Sequence, residues 1–245
     1  MANDNTHSFE SSYVTKDHHK ITNSAQTGLE FNEDFTIELW VKIATVRAGY
    51  GQSIFGQFVN GDNLIQAYYD PSNGKMHIGA RSGGNWVNSL NWTKSLTVGT
   101  WYHIAIGGPG GGGGALADWN YTVDGTDQGT PTLAIGSASS AWPAFTTDIT
   151  FGSRFATDVQ PLDGKMDDLR WWGSIRTTSQ IDDNKSKQLL GTETDLEGYW
   201  DFNNDSTDKT SNGNDLTSVG SGTFSTDYAF EYEDPILFVP GISII

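Results

Sequence analysis

Thr36-Ile37-Glu38-Leu39-Trp40-Val41-Lys42-Ile43 alternates strictly, with Ile37, Leu39, Val41 and Ile43 on one face and Glu38, Trp40 and Lys42 on the other. Successive side chains of an extended chain point to opposite faces, so this pattern predicts a half-buried β-strand. Trp101-Tyr102-His103-Ile104-Ala105-Ile106 repeats it, with Tyr102, Ile104 and Ile106 together. Further strands are predicted at Gln52–Val59, Leu64–Tyr69, Lys75–Arg81, Trp86–Leu90, Trp119–Val123, Asp148–Phe151, Lys165–Trp172, Gly198–Phe202 and Tyr228–Tyr232. Turn residues separate them at Asn60-Gly61-Asp62-Asn63, Pro71-Ser72-Asn73-Gly74, Asp124-Gly125 and Asn212-Gly213. One helix is predicted, Thr178–Leu190, capped by Thr177 or Thr178 and ended by Gly191. Short strands with frequent turns predict an all-β sandwich or barrel. With no tandem repeat and no linker, residues 1–232 read as one domain followed by a tail, 233–245.

Composition narrows the function. The 245 residues carry 14 Lys+Arg against 30 Asp+Glu, a formal charge of −16. Without a basic run this argues against nucleic acid and anionic membrane surfaces as partners. No apolar stretch approaches the ~18–20 residues of a membrane span. The absence of Cys excludes disulfides, zinc-thiolate sites and thiol catalysis. Met1-Ala2-Asn3-Asp4-Asn5 has neither a basic nor an apolar leader region. The expectation is an extracellular or virion-surface protein, released without a signal peptide or beginning after a removed one. Gly107–Gly114 is almost pure glycine. No Gly-Lys-Ser/Thr follows it, so it reads as a flexible hairpin loop and not a phosphate loop.

Four segments carry a family likeness. They are Glu33-Asp34-Phe35-Thr36-Ile37-Glu38-Leu39-Trp40-Val41-Lys42; Gly99-Thr100-Trp101-Tyr102-His103-Ile104-Ala105 with Tyr121-Thr122-Val123-Asp124-Gly125; Leu162-Asp163-Gly164-Lys165-Met166-Asp167-Asp168-Leu169-Arg170 with Ser179-Gln180-Ile181; and Leu196-Glu197-Gly198-Tyr199-Trp200-Asp201-Phe202 with Asp208-Lys209-Thr210-Ser211-Asn212-Gly213-Asn214. In this order they resemble the laminin-G-like and pentraxin-like branch of the concanavalin A-like lectin/glucanase superfamily. The resemblance implies a two-sheet antiparallel jelly-roll sandwich. It leaves function open, because the fold hosts lectins, adhesion modules and glycanases.

The resemblance also implies calcium. In pentraxin-like proteins an Asp-Asn pair before a mid-chain strand joins acids from a later loop to hold the cation beside the ligand. Asp62 and Asn63 match that pair's context, and Ser153–Gln160 is the later loop. Arg154 and Phe155 stand where acidic and amide ligands are expected, leaving Asp158 and Gln160 as donors. Without metal, Asp62 and Asn63 make a polar turn. Alternation places Asp167 on one face with Leu169 and Trp171. A carboxylate there needs a cation or an anchor such as Arg170 or backbone amides. Asp168, facing opposite, reads as solvated.

Sugars stack on exposed rings beside amides. Trp86, Asn88 and Trp92 lie in an Asn- and Ser-rich segment, and Trp142 lies in an expected loop. These four are the candidate glycan contacts, while Trp40, Trp101, Trp171 and Trp200 are expected in the core. Glu193-Thr194-Asp195-Leu196-Glu197 has the spelling of a glycosidase carboxylate triplet, but it follows the helix directly, where laminin-G-like domains have a connector. His18-His19 reads as part of a solvated loop. The sequons at Asn91, Asn120, Asn184 and Asn204 matter only in a glycosylating source. Glu233–Ile245 is strongly apolar and is expected to pack on its own sheet or on a neighbouring subunit, giving an oligomer or larger assembly. The expected function is a non-catalytic lectin-like or adhesion module for a glycan or surface ligand, calcium-assisted. A structural virion or surface-assembly subunit is the alternative, and a glycoside hydrolase comes last.

Overall fold

A computed structural model describes residues 8–12, 14–46, 50–154 and 160–230. Asp158 and the tail Glu233–Ile245 lie outside the described residues. In chain order the strands are β1 (Ser8–Ser11), β2 (His18–Ile21), β3 (Phe35–Ile43), β4 (Gln52–Asn60), β5 (Asn63–Asp70), β6 (Lys75–Ser82), β7 (Asn85–Thr93), β8 (Trp101–Gly108), β9 (Asn120–Val123), β10 (Thr126–Asp127), β11 (Thr132–Gly136), β12 (Ile149–Phe151), β13 (Gly164–Trp172), β14 (Leu196–Trp200), β15 (Thr217–Val219) and β16 (Thr223–Ser225). One sheet runs β10-β9-β8-β3-β13-β1-β16, with β14 also on β13; the other runs β11-β7-β6-β5-β4-β12-β2-β15. All the pairings are antiparallel, as the jelly-roll expectation requires. Here they are called the first and second sheet.

The inward faces meet in one core. Ile37, Leu39, Val41 and Ile43 of β3 face Ile65, Ala67 and Tyr69 of β5 and Met76, Ile78 and Ala80 of β6 across it, all buried. At one end Phe31 lies 4.9 Å from Trp171 and 5.2 Å from Phe35, ring centre to ring centre. Trp171 and Trp200 are core residues as expected. Trp40 and Trp101 are not: both are half-buried on the outer face of the first sheet. There Trp40 Nε1 donates to Lys185 O at 2.8 Å, and Trp101 Nε1 donates to Asp227 at 3.2 Å.

Strict alternation fails on β13. Asp168 adopts a left-handed φ of 51°, and register with β3 slips between Asp167, opposite Trp40, and Arg170, opposite Glu38. This β-bulge turns Asp167 to the outer face, away from Leu169 and Trp171. Asp168 is not solvated, because it is buried against Arg170.

The helix α1 (Thr178–Asn184) starts as expected, with Thr177 and Gln180 forming a reciprocal capping box. It stops short of Leu190 because the next carbonyls turn to the sheet. Arg170 donates to Asn184 O (2.9 Å) and Lys187 O (2.7 Å), and Trp40 to Lys185 O. Of the strand expected at Tyr228–Tyr232, residues 228–230 form no strand but extend a strap across the first sheet, and 231–232 lie outside the described residues; β1 pairs with β13 and with Thr223–Ser225.

His18 and His19 correct a second expectation: they sit on β2 and are buried. The His19 ring lies 3.9 Å from Phe9 and 5.2 Å from Phe202, centre to centre. Burial, with a smaller push from His18, holds His19 down to about 3, and His103 is also held well below its usual value, chiefly by burial. The unfolded chain therefore takes up these protons near pH 6.5 while the folded one does not, so stability is full above that pH and lost as pH falls toward 3. Each such proton costs about 1.4 kcal/mol per pH unit in that window. Denaturant titrations from pH 7 to 4 are expected to show this loss, and His19→Leu to remove one proton's worth of the slope.

Candidate functional site

The two outer faces differ in what covers them. On the first sheet, Arg170 is fully buried between Glu38 and Asp168 and reaches the chain after α1. Glu38 Oε1 also accepts from Trp172 Nε1 at 2.9 Å. Buried charges persist only when paired and hydrogen-bonded in this way. Trp172, Leu189, Leu196 and Tyr199 pack beside this group. The strap covers the rest. Asp227 accepts from Lys42 and Lys165, both at 2.9 Å, and Ala229 N donates to Asp167 Oδ2 at 3.0 Å. Burial would raise the Asp227 carboxyl, but hydrogen bonds from Lys42, Lys165 and Trp101 outweigh it and bring it to about 2. Asp167 thus accepts from a backbone amide, on the sheet opposite Asp62 and Asn63.

The outer face of the second sheet presents a different surface. The ladders set Ser53 beside Tyr68 beside His77 beside Asn91, then Gly56 beside Gln66 beside Gly79 beside Ser89, then Leu64 beside Arg81 beside Trp86. The alternation that buries Ile65, Ala67 and Tyr69 turns Gln66 and Tyr68 outward. Gln66 is 3% exposed and Ser53 1%, yet the Gln66 Oε1 and Ser53 Oγ atoms have no hydrogen-bond partner among the described residues. Buried polar atoms are rarely left so, and each asks for a water or a ligand. The Tyr68 and His77 rings stack 4.6 Å apart and 4° from parallel. Burial lowers the His77 pKa, against a pull from Asp70, so the imidazole is neutral at pH 7. Arg81 lies 5.7 Å from the Trp86 ring centre and donates to Gly61 O (2.7 Å) and Gly84 O (2.6 Å). Aromatic rings, amides and hydroxyls converge on a glycine floor at Gly56 and Gly79. Such a surface can stack the apolar face of a ligand and bond its hydroxyls.

Of the four expected glycan contacts, Trp86 alone lies on this face, half-buried. Asn88, Trp92 and Trp142 are core residues, and the expectation that they are exposed is corrected. Trp92 is 3% exposed, 5.5 Å from the Tyr121 ring, and donates to Gly129 O at 2.7 Å. Trp142 is 6% exposed and donates to Asn88 Oδ1 at 2.7 Å, while Asn88 Nδ2 donates to Gly112 O at 3.1 Å. The loop aromatic finds a core because the glycine run yields one. Gly112 has a φ of +64°, and a Cβ there would lie inside the Trp142 indole. The glycines thus serve close packing. Sequence reasoning missed Tyr68, His77 and Gln66, whose signal was their outward phase on a predicted strand.

Of the expected calcium donors, Asp62, Asn63 and Gln160 are described and Asp158 is not. Asp62 is exposed at the β4–β5 turn, and Asn63 Oδ1 accepts from Gly83 N at 3.0 Å. The Arg81 guanidinium is fixed in that same turn, and Arg154 Nη1 lies 3.5 Å from Gln160 Oε1. Among the described residues no three carboxylate or imidazole groups converge to hold a metal. The Glu193-x-Asp195-x-Glu197 carboxylates do not share a strand face. Glu193 takes the Leu190 and Thr192 amides, Asp195 sits at a left-handed φ of 65°, and Glu197 accepts from Asn212 at 2.8 Å.

The family model described as the concanavalin A-like lectin/glucanases superfamily matches residues 11–182. Among solved structures, a candidate carbohydrate-binding protein from Bacteroides ovatus superposes with a TM-score of 0.63 at 18% identity, covering 93% of this chain and 61% of that one. The chain therefore spans about three-fifths of that structure. A heptameric pentraxin from Limulus polyphemus gives 0.48 at 18% identity over 72% of this chain and 79% of that one. A carbohydrate-binding module of a Ruminococcus gnavus sialidase, bound to sialyllactose, gives 0.46 at 14% identity over 62% and 82%. No curated protein matches the sequence. No helix among the described residues is long and apolar enough to cross a membrane.

Removing the Asn88 amide leaves the buried Trp142 N–H unpaired. Asn88→Ala is expected to lower unfolding free energy by about 1–3 kcal/mol in a urea titration.

Proposed function

Because the chain belongs to the concanavalin A-like lectin/glucanase superfamily, we propose that it is a non-catalytic, lectin-like module. Its glycan-binding face would be the outer face of the second sheet. The observation that carries this reading is the set of buried, outward-facing polar side chains with unpartnered atoms, Gln66 and Ser53, between the Tyr68–His77 stack and Trp86. The outer face of the first sheet is covered instead by α1 with its following chain and by the strap. The carboxylates that resemble a catalytic triplet are engaged in local turns and caps, which supports binding without hydrolysis. An extracellular or surface location accords with a glycan partner.

Calcium assistance is not needed in this reading. Arg81 holds the turn that contains Asp62 and Asn63, and its positive charge opposes a dication there. Millimolar calcium after EDTA is expected to leave the Tm unchanged, whereas a native-state metal site would raise it by several degrees.

Glycan-array screening followed by calorimetry tests the face itself. Tyr68→Ala and Trp86→Ala are each expected to weaken the best glycan about tenfold or more, equivalent to ~1.4 kcal/mol. Binding unchanged in both variants would overturn the assignment.

A further inference from the structure

A second recess lies at one end of the sandwich, between the segments around residues 23–32 and 143–146, with a volume of about 220 Å³. Phe31, Phe145 and Pro143 give it apolar walls, and Gln57, Gln26 and Glu30 give it polar ones. It is independent of the face proposed above, because Gln57 projects from the inward side of β4 opposite core residue Ile149.

At its two glutamines the hydrogen-bond inventory is one-sided. Gln57 is 5% exposed, and its Nε2 donates to Phe145 O at 2.9 Å and Thr147 O at 3.2 Å. Both partners are carbonyls, so this atom is the nitrogen and both its hydrogens are engaged. Oε1 accepts nothing among the described residues and keeps its full acceptor capacity. Gln26 repeats the arrangement, donating to Ile21 O at 3.2 Å and Thr147 O at 2.9 Å. The Glu30 carboxylate is exposed at the rim and makes no ion pair among the described residues. No Lys, Arg or His lines the recess; Asn23 and Asn32 at its edge are the remaining amides.

We propose that this recess is a second ligand site that takes an amine-bearing sugar, its ammonium toward Glu30 and its hydroxyls donating to Gln57 and Gln26. Two amide acceptors with no donor hydrogens left require a ligand that donates. The carboxylate strengthens that requirement for a cationic donor, since charge-assisted hydrogen bonds are roughly twice as strong as neutral ones. The Phe31, Phe145 and Pro143 walls fit the apolar face of a pyranose ring. A net charge of −16 adds a field that favours a cation and disfavours a carboxylated sugar.

The test is an NMR titration of the isotopically labelled full chain with glucosamine, glucose and glucuronate, at a slightly acid pH where the amine is protonated. The expected result is a shift of the Gln57 and Gln26 side-chain amide signals with glucosamine, at least about tenfold tighter than with glucuronate. Glu30→Gln, an exposed change that leaves the fold intact, is expected to weaken glucosamine severalfold and leave glucose unchanged. Phe145→Ala is expected to weaken both neutral and amine-bearing sugars. Equal response to glucuronate, or an unchanged glucosamine affinity in Glu30→Gln, would overturn the charge assignment. No shift at Gln57 and Gln26 with any of the three would overturn the site, even if signals around Tyr68 and Trp86 moved.

Discussion

The buried Arg170 guanidinium decides which side of this sandwich is open. It is fully enclosed, so it must find compensation within the fold, and it does so through Glu38, Asp168 and the carbonyls of Asn184 and Lys187. Satisfying that charge draws the chain after α1 onto the first sheet, and Trp40 adds a further tie through Lys185 O. The left-handed bulge at Asp168 is the enabling step: without it Arg170 would point into the apolar core. One register slip thus turns a charged residue outward, the charge recruits a cover, and the cover removes one of the two faces from solvent.

The second sheet receives no such cover from these elements, and its surface chemistry follows the pleat. Apart from bulges at Ile54 and between Ala80 and Arg81, the residues of β4 to β7 alternate between the core and an outer row of polar and aromatic side chains over Gly56 and Gly79. Among the described residues nothing satisfies the Gln66 Oε1 and Ser53 Oγ atoms, and burying a polar atom without a partner is costly. At the recess at the sandwich end, the side-chain amide hydrogens of Gln57 and Gln26 are consumed within the protein.

Much of the fold was legible in the chain. The alternation of Thr36–Ile43 and Trp101–Ile106 located β3 and β8, and turn residues delimited β4 to β7. Short or polar strands were not legible. β1, β2, β15 and β16 span only three or four residues each, too few for a period to register. His18 and His19 read as loop because nothing local marks the Phe9 and Phe202 rings that enclose His19. The site was legible in part. Trp86 was found, but Trp92, Trp142 and Asn88 were assigned outward when they face in. A lone aromatic in a polar segment carries no information about which distant loop will pack on it, and Trp142 found Gly112 across 30 residues.

The sequence by itself determined the class of architecture and the acidity of the surface. Those properties are sums over local pattern and composition: alternation sets which residues can share a face, and charge counts need no geometry. Tertiary structure alone decided which outer face stays open, where Asp167 points, and which amide oxygens remain unpaired. Each of these depends on a partner far along the chain: Ala229 for Asp167, Lys187 for Arg170, Thr147 for Gln57. Hydrogen bonds are short-range and directional, so their allocation is settled only when remote segments are brought within ~3 Å of one another.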